Sequence, residues 1–212
     1  MRESAAFPRG SSALLGGVFV TGEGSSPLRV EDVRVGAAYE TARGEERRRI
    51  AALKGPRRIA LGESLALVFE SRDTIRATLE EALRTERVDD PARVASEIEA
   101  FNAVVPAPGE LVAVLFLEVA DPADLNSALL RLDGVERSIF MEIGGARVPG
   151  VADTVFAPGE GAVAFPLRFR IDPAQRESIR SGAPMSIGSD HHNVALTVAL
   201  DEVQREAITE EL

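Results

Sequence analysis

The pattern that most constrains this chain lies in its C-terminal half, where one order of signals occurs twice. Residues 111–119 (LVAVLFLEV) lead to Asp121-Pro122-Ala123, a helical stretch to Leu132, a strand-like SIFMEI (138–143), Gly144-Gly145 and ARV (146–148). Residues 161–171 (GAVAFPLRFRI) lead to Asp172-Pro173-Ala174, a helical stretch to Arg180, MSIG (185–188), a turn and NVALTVAL (193–200). In each case the Asp can accept from free N–H groups of the first turn, and Pro at the first helical position gives up no hydrogen bond. Both copies therefore read β–α–β–β. Identity outside Asp-Pro-Ala is low, so duplication and independent recurrence of the same capping chemistry both account for the pattern. A closing helix is expected over residues 201–212, with Val203, Ala207 and Ile208 as its apolar face.

The first half is richer in helix signals. A helix over 37–54 places Tyr39, Ala42, Ile50 and Leu53 near helical spacing, and Gly55-Pro56 stops it. Two strands, 58–61 and 65–69, join around Gly62-Glu63, and LALVF (65–69), apolar on both faces, reads as an interior strand. Ser71 or Asp73 can cap the next helix, whose stripe is Ile75, Leu79, Ala82 and Leu83. Its other face is charged, and Glu80–Arg84 has the favourable i,i+4 order. Asp90-Pro91 opens a third helix with Val94, Ile98 and Phe101 inward, ending near Asn102. Residues 1–27, rich in Gly, Ser and Pro, are expected to be a mobile extension. Residues 28–212 are expected to form a single α+β domain: a helix-rich half (28–108) packed on a mainly antiparallel sheet that contains the two β–α–β–β units (109–212).

A net charge of −10 argues against a generic nucleic-acid binder, because phosphate neutralisation needs excess cations. The segment Arg43–Arg58 is a local exception, with seven basic residues against Glu45 and Glu46. Lys54 is the sole lysine in the chain. With no cysteine, disulfides, thiolate nucleophiles and Cys-ligated metals are excluded. The run ALLGGVFV (13–20) is too short to span a bilayer and makes a poor signal peptide, so a cytoplasmic protein without membrane contact is expected. There is no P-loop and no Gly-x-Ser-x-Gly elbow.

Two charged sets remain as candidate binding residues. One is Arg47, Arg48 and Arg49, which can meet an anion or an acidic partner, or simply complement the dipole of a solvated helix end. The other is Glu70, Arg72, Asp73, Glu81, Arg84, Glu86 and Arg87, at a strand end that feeds a helix. Carboxylates beside guanidinium groups there can hold a ligand, or pair with one another as a structural surface. The only histidines, His191 and His192, sit in SDHHN (189–193). His191 is the candidate metal ligand, against an ordinary polar turn between the last two strands.

Five strings, RRRIAALK (47–54), LVFESRDT (67–74), LRTERV (83–88), FNAVVPAPGEL (101–111) and SDHHN (189–193), carry a resemblance over residues 28–212. The chain resembles an uncharacterised bacterial family known as a rubrerythrin-associated domain of unknown function. In that family the position of Ser71 is often Asn and that of His192 often Pro, which leaves His191 as the matching histidine. The resemblance implies a protein partner in an oxidative-stress redox system and supplies no cofactor. Two functions stand at this point: a non-enzymatic accessory or binding protein, and a metal- or anion-dependent enzyme using Glu70, Asp73, Glu81 and His191.

Overall fold

The computed structural model describes residues 26–119, 121–152, 164–210 and 212. The extension expected over 1–27 lies outside these except for Ser26 and Pro27. The described chain is α+β, as expected. Strands β1 (Arg58–Leu61) and β2 (Leu65–Glu70) form the hairpin anticipated around Gly62, where a φ of +72° favours glycine. They continue through β3 (Glu110–Leu117), β7 (Ala164–Arg170) and the short β6 (Val151–Ala152) into a five-stranded sheet of order β1-β2-β3-β7-β6. A second sheet has the order β5-β4-β8-β9, from β4 (Ile139–Ile143), β5 (Ala146–Pro149), β8 (Met185–His191) and β9 (Val194–Ala199). Every pairing is antiparallel.

The β–α–β–β units thus span two sheets where one was expected. Helices α4 (Leu125–Arg131) and α5 (Pro173–Arg180) carry the chain from the first sheet to the second. The opening strands β3 and β7 are neighbours in one sheet, and the hairpins β4–β5 and β8–β9 adjoin in the other through β4 and β8. The arrangement is approximately two-fold. Period-two alternation then puts Leu67, Phe69, Leu115, Leu167 and Phe169 of the first sheet in one core with Met141, Ile143, Met185 and Ile187 of the second. Each such fully buried side chain contributes about 1.5–3 kcal/mol.

Two glycines permit close approaches. At Gly150 the chain leaves β5 for β6 and so changes sheets; its N–H donates to Ile139 O at 2.8 Å, and a Cβ would stand 3.0 Å from the Phe169 ring. On the outer face of the second sheet, Phe140 lies across Gly188, where a Cβ would fall 2.3 Å from the ring. The closing helix α6 (Glu202–Thr209) buries Ile208 but leaves Val203 exposed, so Val203 is not on its inner face.

The helical part has its own core. Helices α2 (Arg72–Thr85) and α3 (Pro91–Asn102) meet through Ile75, Leu79, Leu83, Val94, Ile98 and Phe101, joined by Leu28. Asn102 clamps the backbone of Leu28, accepting its N–H at 2.7 Å and donating to its carbonyl at 2.9 Å. Ser71 caps α2 in a reciprocal pair with Thr74, and Asp90 caps α3 through Arg93 N–H. Helix α1 (Gly36–Lys54) departs from expectation. Of its residues only Tyr39 and Glu46 are buried, while Ala42, Ile50 and Leu53 are half-covered. An apolar stripe does not hold α1; ion pairs do.

Candidate functional site

Helices α1 and α2 run antiparallel, and the seam between them is built from charges. Its inner cluster centres on Glu80, which is wholly buried despite lying among the charged residues of α2. Arg34, just before α1, gives Glu80 its backbone N–H at 2.9 Å, Nε at 3.0 Å and Nη2 at 2.9 Å. Arg76, one turn earlier on α2, reaches Glu80 at 3.3 Å and Glu46 of α1 at 2.8 Å. Arg49 joins Glu46 at 2.9 Å to Asp73 at 2.7 Å. The Arg49 hydrogen bonds, then Arg76, hold the Glu46 carboxyl down at about 2.

The outer cluster centres on Glu81. Arg43 meets it with two parallel bonds of 2.9 and 2.7 Å, Arg84 adds two at 3.2 and 3.0 Å, and Tyr39 donates its hydroxyl at 2.9 Å. Hydrogen bonding by Arg43 foremost depresses the Glu81 carboxyl to about 2. Burial, and then the Glu81 contact, push the Tyr39 phenol well above its ordinary value. Glu40 approaches Arg84 at 3.6 Å. Five guanidinium groups (Arg34, Arg43, Arg49, Arg76, Arg84) thus face five carboxylates (Glu40, Glu46, Asp73, Glu80, Glu81). The charges cancel within the seam.

The remaining sequence-proposed residues are scattered around it. Arg47 and Arg48 are exposed on α1, with no carboxylate in ion-pair distance among the described residues. Arg72 pairs with Asp32 and donates to Ser26 O, tying the chain before α1 to the start of α2. Glu86 and Arg87 end α2. Arg87 takes the left-handed conformation (φ +53°) that usually calls for glycine after a helix, and Val88 N–H closes the motif on Leu83 O at 2.8 Å. Glu70 is buried and accepts from Lys54 Nζ at 3.0 Å, while its other oxygen has no hydrogen-bond partner among the described residues. Sequence reasoning missed Arg34, Tyr39, Glu46, Lys54, Arg76 and Glu80. One signal was available: Tyr39, Arg43, Glu46 and Ile50 fall on one helical face, so charges occupy inward positions of α1.

His191 lies elsewhere, on the second sheet. Strand β8 runs on to His191, so only His192-Asn193 form the turn. The buried imidazole contacts Asp133 O through Nε2 at 3.1 Å and accepts Asn193 N–H at Nδ1 at 3.3 Å. Carbonyl contact at one nitrogen and N–H contact at the other select the Nε2–H tautomer and engage both nitrogens. Among the described residues no three or more His, Asp or Glu side chains are grouped to hold a metal ion. Glu70, Asp73 and Glu81 each have their own cationic partner, and His191 does not join them. No helix among the described residues is long and apolar enough to cross a membrane.

Residues 27–212 match the family described as Protein of unknown function (DUF3501). The chain belongs to this family. A DUF3501 match over that span includes both the charged seam and the paired sheets. A solved structure of a novel protein of unknown function from Burkholderia pseudomallei K96243 is similar, with 28% identity and a TM-score of 0.82. The similarity covers 88% of this chain and 100% of that one. Among curated proteins no relative is found.

Proposed function

We propose that the protein is an accessory binding protein that docks an acidic surface of a partner in a rubrerythrin-type redox system through the outward face of α1. The observation that carries this reading is the division among the arginines of one helix. Arg43 and Arg49 are engaged in the seam, whereas Arg47 and Arg48 are exposed without an internal carboxylate. The seam fixes the helix that bears them, so little backbone freedom is lost when a partner binds. Two exposed guanidiniums suit bidentate carboxylate contacts and speed encounter with an acidic surface. The seam carboxylates at about 2 are poorly matched to general acid–base work near neutrality, which favours binding over the alternative of a carboxylate/histidine enzyme.

Calorimetric titration of the purified protein into the rubrerythrin encoded by the same genome tests the proposal. Saturable binding that weakens as salt rises is expected, with an unrelated acidic protein showing none. Absence of binding at low salt overturns it.

A further inference from the structure

The cleft between α5 and α6 holds three arginines that the seam does not involve. It encloses about 220 Å³ and is lined by Arg176 and Arg180 of α5 and Arg205 of α6. Arg205 donates to Gly182 O at 3.1 Å. Arg176 and Arg180 have neither an ion pair nor a hydrogen bond from their guanidinium groups among the described residues. They stand at i,i+4 on one short helix, a spacing at which like charges repel. Glu206 is the one carboxylate side chain in the lining, and it pairs with none of the three. In an acidic chain whose five seam arginines are matched by five carboxylates, this wall has an unmet positive charge.

We propose that this cleft binds a phosphoryl group, held by the guanidinium groups of Arg176, Arg180 and Arg205. Each guanidinium offers several N–H donors in a planar fork, and a phosphoryl group supplies three strong acceptor oxygens and close to two negative charges. A single carboxylate would leave at least one cation unmatched. The volume lies below the roughly 300–1,000 Å³ of clefts that enclose drug-sized ligands, which points to inorganic phosphate or a small phosphate monoester. Ile179 adds apolar surface against which the body of a monoester can rest. The site is separate from the α1 face and does not depend on it.

Calorimetry of the full chain with inorganic phosphate, with phenyl phosphate and with succinate, at matched ionic strength, tests the site. Saturable binding in the millimolar range or tighter is expected for at least one phosphate probe and none for succinate. Tighter binding of phenyl phosphate identifies a monoester site; equal or weaker binding identifies an inorganic phosphate site. Arg180→Gln should weaken binding about tenfold or more without lowering the unfolding midpoint, since it removes one of two repelling charges. Arg47→Gln/Arg48→Gln should bind as the parent does. The proposal is overturned if neither phosphate probe saturates, if succinate binds equally well, or if Arg180→Gln binds unchanged.

Discussion

Glu80→Ala is the sharpest perturbation of the seam. The wild-type carboxylate is fully buried and receives Arg34 through backbone and side chain and Arg76 through its guanidinium. Removing one partner of a buried pair costs about 3–5 kcal/mol, because the other charge stays uncompensated. Here Arg34 is about a third exposed and both cations keep contact with Glu46, at 3.4 and 2.8 Å, so the low end of that range applies. A loss of about 3 kcal/mol is a large part of the 5–15 kcal/mol typical of a folded domain. Equilibrium urea unfolding should show the midpoint falling with an unchanged slope. In Arg34→Ala/Glu80→Ala the loss should be smaller than the sum of the single changes, since no buried charge is stranded. A Glu80→Ala loss below about 0.5 kcal/mol, the range of ordinary surface substitutions, would refute the seam as the attachment of α1.

Acid should loosen the same seam. Glu46 and Glu81 have folded values of about 2 against an ordinary 4.5, so their contribution is complete above 4.5 and lost as pH falls toward 2. Stability should therefore decline over that window, and Glu46→Gln should flatten the decline when unfolding is followed by pH. Ser71→Ala should cost about 1 kcal/mol through loss of the α2 cap, measured by thermal unfolding. Arg87→Gly should stabilise by about 0.5–1 kcal/mol in urea by relieving the left-handed backbone at φ +53°. Gly188→Ala should lower the midpoint by more than the Ser71 change, because Phe140 must leave its place across the strand.

What the sequence disclosed was local chemistry. Asp90 and Asp172 cap their helices as read, and Asp201 caps α6 where the helix was expected to begin at it; each accepts an N–H three residues on. The both-faced apolarity of LALVF marked β2 as interior, and all six residues of β2 are buried. Long-range relations were not legible. Glu80 looks like a solvated helix charge until Arg34, 46 residues away, closes on it, and the expected Glu80–Arg84 pair gives way to Arg76–Glu80 and Arg84–Glu81. Two sheets in place of one follow from the paths of α4 and α5, which the β–α–β–β pattern leaves open. His191 reads as a turn ligand in sequence but ends a strand with both ring nitrogens engaged, because β8 extends three residues beyond Gly188.

The central claim is that paired arginines of the first two helices hold the fold and unpaired ones meet the partner. The most direct measurement compares Arg43→Ala/Arg84→Ala with Arg47→Glu/Arg48→Glu, each followed by urea unfolding and by affinity for the proposed rubrerythrin partner under folding conditions. The account predicts that the seam pair loses stability and keeps its affinity, while the surface pair keeps its stability and loses affinity by about tenfold or more. The reverse result, a folded seam variant that no longer binds beside a surface variant that binds normally, would contradict it.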